Sequence, residues 1–210
     1  MRPPRMRVAL FGRSLAGFTL ANAMERAGHE VQMLSDPAEL SSFETLIIAV
    51  GDARLEATVE LLEPHVHRGL IVFHTCLSRG VQVLDPLETH GCVVAALAPF
   101  TLKRWAVTTL DELGETVVEL NIAEFYAETV ALSDAERAPF AARAYYAEML
   151  RRLHISAAVD AHFLSPSEEP PLVGEDMDTE EIIAAYRGAT DPGLRRSYVE
   201  VARRLGEVED

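Results

Sequence analysis

The sequence predicts an α/β protein with a doubly wound, mainly parallel sheet followed by a small all-helical C-terminal domain. Over the first two-thirds of the 210 residues, short apolar runs alternate with helical patterns, which is typical of strand–helix–strand units. The runs are continuous, as at 46–50, which indicates strands covered on both faces. Strand patterns cease after residue 132. We therefore expect a sheet domain at 1–132 and a helical domain at 133–210.

The apolar runs place the individual elements. We expect strands at 7–11, 30–34, 45–50, 70–75, 92–97, 105–109 and 129–132. Apolar residues at helical spacing predict helices at 14–27, 52–62, 81–87 and 112–125. Ser133 and Glu136 form a capping box, which predicts a helix that extends to about residue 153. A polar, proline-rich loop at 165–171 separates this helix from two shorter ones, at 179–187 and 194–205.

The stretch between the first strand and the first helix is the most informative motif. It reads Gly12-Arg13-Ser14-Leu15-Ala16-Gly17, close to the G-x-G-x-x-G fingerprint of dinucleotide-binding turns. Gly12 would make the tight turn, Gly17 would let the helix pack on the strand, and Ser14 stands where a glycine normally admits the pyrophosphate. We expect Gly12→Val to abolish binding while leaving the protein folded.

Two further strand ends carry candidate cofactor contacts. Ser35 and Asp36 follow the second strand, where a carboxylate binds the ribose hydroxyls and disfavours a 2′-phosphate. With no arginine nearby, the preference leans weakly to NAD over NADP. The alternative is that Asp36 only starts a turn before a proline. His74 and Thr75 end the fourth strand, at the edge where open parallel sheets bind ligands.

Residues 6–153 resemble the Rossmann-like 6-phosphogluconate dehydrogenase-like reductases, which include pyrroline-5-carboxylate reductase. The resemblance is greatest to members of unknown function. It rests on the glycine turn, on Ala49-Val50-Gly51-Asp52 and on two segments, 73–75 and 83–87. The resemblance implies an N-terminal dinucleotide domain, with Val50, Gly51 and Asp52 as further cofactor contacts, and a C-terminal helical domain that often dimerises.

Three positions depart from the pattern of these relatives. Ala98 and Ala141 stand where the relatives tend to have histidine, and Glu148 stands where an asparagine is expected. The resemblance therefore implies a degenerate catalytic site more than it implies a different fold.

The remaining candidates for catalysis are His74 and Lys103. The imidazole of His74 titrates near neutrality and could relay a proton, although a lone histidine at a strand end is more often structural. Lys103 is the only lysine and could meet an acidic substrate, although an isolated lysine is more often a solvated charge.

The composition indicates which classes of binding partner and which cellular location are expected. The formal net charge of −14 argues against nucleic acid and anionic membranes as partners. Cys76 and Cys92 show no metal-ligand spacing and are expected to be reduced thiols. No apolar stretch has the length of a membrane span or the form of a signal peptide, so a cytoplasmic location is expected.

These observations predict an NAD(P)-dependent oxidoreductase that acts on a small 2-oxo acid or imine, with His74 or a substrate-bound water handling the proton. The alternative is a non-catalytic dinucleotide-binding protein, such as a dimeric sensor or scaffold. In either case we expect a small-molecule metabolite as partner, a homodimer and no metal site.

Overall fold

The computed structural model describes residues 5–101, 103–153 and 179–209, so the predicted loop at 165–171 lies outside the described residues. A seven-stranded sheet forms the centre of the fold. In chain order its strands are β1 (Arg7–Gly12), β2 (Glu30–Met33), β3 (Thr45–Ala49), β4 (Ile71–His74), β5 (Val93–Pro99), β6 (Arg104–Thr109) and β7 (Glu128–Ala131).

In the part of the chain that the structure describes, seven α-helices surround or follow the sheet. They are α1 (Leu15–Ala27), α2 (Leu55–Leu62), α3 (Asp85–Thr89), α4 (Glu112–Phe125), α5 (Asp134–Arg152), α6 (Thr179–Arg187) and α7 (Pro192–Glu209). Every described regular element after β7 is helical, as the sequence predicts. Among the described residues, no helix is both long enough and apolar enough to cross a membrane.

The strand order is β2-β1-β3-β4-β5-β6-β7, and all neighbouring pairs are parallel except β5 and β6. The mainly parallel, doubly wound α/β fold is therefore confirmed. The reversal at β6 follows from the short 100–103 link, because a parallel crossover needs a dozen or more residues.

The two faces of the sheet bury separate apolar clusters. One cluster packs beneath α2 and α3 and contains Leu46, Val72 and Leu84. The other packs beneath α1 and α4 and contains Ile47 and Phe73. Because neighbouring residues of one strand enter opposite clusters, the strands are covered on both faces, which explains their continuous apolar runs.

The helical region is attached to the sheet through α5. The predicted capping box is present, with the backbone N–H of Ser133 donating to Glu136 Oε2 at 2.8 Å. The α5 residue Phe140 packs in a cluster with Ala98 and Ala106 of the sheet. Further along α5, Met149 joins α6 and α7 in a separate cluster around Tyr198. The position of the boundary between the two domains stays a prediction.

The two outer strands of the sheet are short and polar. In β2, Glu30, Gln32 and Met33 are exposed, and in β7, Glu128 and Thr129 are exposed. Each of these strands has four residues.

Candidate functional site

The carboxyl ends of β1, β3 and β4 meet at one edge of the sheet. Gly12 pairs with Ala49, and Ile48 pairs with His74. The turn that links β1 to α1 and the loops that follow Ala49 and His74 therefore lie side by side. Open parallel sheets bind their ligands at this edge.

The glycine turn packs directly on Ala49 of β3. Gly12 has a φ of +103°, and a Cβ there would lie 2.1 Å from the carbonyl oxygen of Ala49. A Cβ at Gly17 would lie 2.1 Å from the Cβ of Ala49. Both positions therefore require glycine, for the tight turn and for the close approach of α1 to β3. The expectation that Gly12→Val stays folded conflicts with this packing.

Ser14 turns its side chain into the protein. Its Oγ accepts from the backbone N–H of Gly17 at 3.1 Å and so caps α1. Its Oγ also lies 3.3 Å from Thr75 Oγ1, which donates to the carbonyl of Ile48. Because the Thr75 proton is used in that bond, the Ser14 hydroxyl is the donor to Thr75. The side chain that stands in place of the second glycine thus contributes to an internal network.

The N-terminus of α1 keeps donors for an anion. The first N–H groups of a helix lack partners within the helix, and Ser14 satisfies that of Gly17. Leu15 and Ala16 supply the other N–H groups of this first turn. Arg13, on the same turn, is exposed. The arrangement of helix dipole, backbone donors and a nearby cation suits a phosphate group, so the residues present fit a dinucleotide.

Ser35 and Asp36 are exposed beyond the end of β2. The carboxylate of Asp36 accepts from the backbone N–H of Ala38 at 2.9 Å and caps a 3₁₀ helix, Pro37–Ser42. The turn-starting role of Asp36 is therefore present. The capping bond uses Oδ1 of Asp36. The binding of a ribose by this carboxylate stays a prediction.

The loop after β3 is tied to the loop after β4. The thiol of Cys76 donates to the carbonyl of Val50 at 3.1 Å, and the Ser78 hydroxyl donates to the Asp52 carboxylate. Burial, followed by the Asp52 charge, raises the pKa of Cys76 well above its ordinary value, so this thiol stays protonated.

Helix α6 closes one side of the same loop. A cleft of about 370 Å³ separates the two, with the residues of the 3₁₀ helix Asp52–Arg54 on one wall and Glu180, Glu181 and Ala184 on the other. The Tyr145 hydroxyl donates to Glu181 Oε2 at 2.8 Å. Burial raises the pKa of Tyr145, with the Glu181 charge as the next cause, so the phenol remains a donor.

His74 does not reach the cleft, because its side chain is fully buried. Its Nε2 lies 3.0 Å from the carbonyl of Gly80, and a carbonyl can only accept, so Nε2 carries the proton. Burial, aided by the nearby Arg137 charge, lowers the pKa of His74 to about 3. The imidazole is therefore neutral and enclosed, which favours its structural role over the predicted catalytic one.

The two alanines, Ala98 and Ala141, lie beside the loop after β4, because their apolar cluster includes Leu77 of that loop. Lys103 is exposed in the link between β5 and β6. Ala98 and Ala141 are both fully buried in one apolar cluster, so these two positions present no polar group to a ligand. The carboxylate of Glu148 is buried and accepts from Arg151 at 2.6 Å and from Arg152 at 3.2 Å.

Arg137 is a buried cation whose role the sequence does not predict. It is fully buried on α5, and it donates to the carbonyl of Cys76 at 2.9 Å and to Thr108 Oγ1 at 3.1 Å. Burial lowers its pKa to about 10. Arg137 thereby fixes the start of the loop after β4 against both the helical region and β6. Only its contacts reveal this role, since the α5 pattern contains several arginines.

The chain resembles known proteins in fold. Residues 36–99 match the model of a Rossmann-like domain. A 3-hydroxyisobutyrate dehydrogenase from Mycobacterium tuberculosis superposes with a TM-score of 0.64, 11% identity and coverage of 97% of this chain and 94% of that chain.

Two further solved structures contain a nicotinamide cofactor. A prephenate dehydrogenase from A. aeolicus, in complex with NAD+, has a TM-score of 0.56, 12% identity and coverage of 99% and 86%. A Plasmodium falciparum pyrroline carboxylate reductase with NADP bound has a TM-score of 0.54, 12% identity and coverage of 100% and 79%. No curated protein matches the sequence. These comparisons show that the chain has a Rossmann-like α/β fold with a helical C-terminal region.

Proposed function

We propose that this protein binds a nicotinamide dinucleotide at the turn 12–17 and acts as an NAD(P)-dependent oxidoreductase on a small 2-oxo acid or imine. The observation that carries the proposal is the packing of Gly12 and Gly17 on Ala49, with the Ser14 side chain turned inward. Structures that share this fold hold NAD+ or NADP, which supports the same class of cofactor here.

The chain's own residues would bind and orient such a cofactor. The N–H groups of Leu15 and Ala16 would donate to its phosphates. Thr75, which lies on the protein side of Ser14, would hold the Ser14 side chain in place. When bound, the nicotinamide would supply the hydride chemistry. Since His74 is enclosed and its Nε2–H is bonded to Gly80, we propose that a substrate-bound water supplies the proton.

A charge placed at the start of α1 tests the cofactor site. Leu15→Glu puts a carboxylate in the first helical turn, where it favours the helix dipole but repels a phosphate. The glutamine side chain of Leu15→Gln has almost the same size as the glutamate of Leu15→Glu but carries no charge. We expect isothermal titration calorimetry to show NADH binding weakened about tenfold or more by Leu15→Glu and much less by Leu15→Gln.

Failure of the wild-type protein to bind NADH or NADPH at millimolar concentration would reject the proposal. Equal losses in the two variants would show that the phosphates lie elsewhere. Binding without oxidation of NADH by any 2-oxo acid or imine would favour a non-catalytic sensor or scaffold.

We also propose a homodimer built largely by the helical region after Ser133. Ile183 on α6 and Val199 on α7 are 49% and 54% exposed, which supports burial of these helices against a second copy. Light scattering is expected to give about twice the 23.1 kDa chain mass. A monomer at high protein concentration would contradict the dimer, and Ile183→Lys with Val199→Lys should dissociate it.

A further inference from the structure

The Glu181 side chain of α6 lies directly over the loop that follows β3. Its Oε1 is 3.5 Å from the point that a Cβ on Gly51 would occupy. Its Oε2 accepts from the Tyr145 hydroxyl of α5 at 2.8 Å. Two elements of the helical region thus hold one carboxylate against the sheet domain.

Gly51 borders the glycine turn. It follows Ala49 by two residues, so the two Cα atoms are at most about 7 Å apart. Ala49 is the residue on which Gly12 and Gly17 pack, and its carbonyl accepts from the N–H of Ser14 at 2.9 Å. The Glu181 carboxylate therefore lies within about 12 Å of Ala49, next to the loop that borders the glycine turn.

The side chains that line the cleft carry a net negative charge, from three carboxylates and one arginine. Asp52 faces Glu180 and Glu181, and Arg54 is the basic residue among those that line it. Two like charges a few ångströms apart repel each other, and partial burial strengthens this repulsion relative to water. A diphosphate that approaches α1 would meet this repulsion in addition to the attraction of the helix N-terminus.

We propose that Glu181, positioned by Tyr145, is an autoinhibitory gate that weakens the binding of anionic nucleotides at the turn 12–17. This inference rests on the proposed function and adds a regulation of the same site. Rotation of the Glu181 side chain away from Gly51 opens the gate. Tyr145 opposes this rotation because the carboxylate must give up the phenol hydrogen bond.

Calorimetry with two nucleotide fragments tests the gate. Adenosine diphosphate carries the phosphates, and adenosine is its neutral counterpart. We expect Glu181→Gln to bind adenosine diphosphate about tenfold more tightly than the wild type at low salt, with adenosine binding unchanged. The gain should shrink at about 1 M salt, where charges are screened beyond about 3 Å.

Two further variants separate the effect of the Tyr145 hydrogen bond from the effect of the Glu181 charge. Tyr145→Phe keeps the carboxylate but removes the phenol hydrogen bond, so a smaller gain for adenosine diphosphate is expected. Glu119→Gln makes the same charge change at an exposed position on α4 and should leave both affinities unchanged.

The outcomes also distinguish the gate from the proposed function. Wild-type binding with no gain in Glu181→Gln overturns the gate alone. A loss of affinity in Glu181→Gln shows that Glu181 contacts the ligand. Equal gains for adenosine diphosphate and adenosine show that the effect is steric. Either result overturns the gate. Absence of adenosine diphosphate binding in every variant, together with no NADH binding by the wild type, overturns the proposed function together with the gate, whereas adenosine diphosphate binding by Glu181→Gln alone supports the gate.

Discussion

Gly12→Ala is expected to lower the melting temperature of the protein by about 10 °C. The left-handed backbone at Gly12 costs a residue with a side chain about 1–2 kcal/mol, and the 2.1 Å approach to the Ala49 carbonyl oxygen adds an overpacking cost of about 1–3 kcal/mol. For a chain of this size, a loss of about 3 kcal/mol shifts the melting temperature by roughly that amount. Differential scanning calorimetry measures the shift.

Substitutions at two other glycines separate the backbone cost from the cost of the clash with Ala49. Gly69 has a φ of +85° with no atom within 4 Å of an added Cβ, so Gly69→Ala reports the backbone cost alone. Gly17 meets Ala49 without a positive φ, so Gly17→Ala reports the clash alone. A Gly12→Ala protein no less stable than Gly69→Ala would show that the turn does not pack on β3.

The second large effect is a loss of stability in mild acid caused by His74. Burial, aided by Arg137, lowers its pKa from 6.5 to about 3. Between these values the unfolded chain binds a proton that the folded protein excludes, so stability is complete above pH 6.5 and falls as the pH drops. Since one pKa unit corresponds to about 1.4 kcal/mol, His74 alone should remove about 2 kcal/mol between pH 6.5 and pH 5.

Urea unfolding at several pH values measures this dependence. His74→Asn offers a control, because its amide can still donate to the Gly80 carbonyl but has no proton to exclude. The difference in unfolding free energy between wild type and His74→Asn should therefore narrow steadily from pH 6.5 to pH 5. Parallel pH profiles for the two proteins would show that His74 is accessible to protons in the folded state.

Local patterns predicted most of the fold, because continuous apolar runs and caps are properties of neighbouring residues. The capping box at Ser133 and the helix α6 agree with the sequence at their predicted positions, and strand ends differ by one or two residues. The direction of β6 was not predicted, although the 100–103 link is too short for a crossover and could have indicated the antiparallel pairing.

The candidate site was predicted less completely because it depends on contacts between distant residues. The turn 12–17 is local, so its glycines were identified from spacing alone. The contact of Glu181 with Gly51 joins residues 130 positions apart, and no periodicity signals it. The position of His74 at a strand end predicted the correct edge of the sheet, but its environment depends on α5 and on the loop around Gly80, which the strand pattern does not describe.

The polar outer strands limit how copies of this protein can associate. An open sheet exposes unpaired N–H and C=O groups at its margins, and such margins can pair with those of other molecules into aggregates. Here β2 and β7 are short, and Glu30 and Glu128 place exposed carboxylates on them. Two such margins repel each other, and the net charge of −14 adds to this repulsion. Resistance to edge-to-edge aggregation therefore depends on a few side chains at the margins.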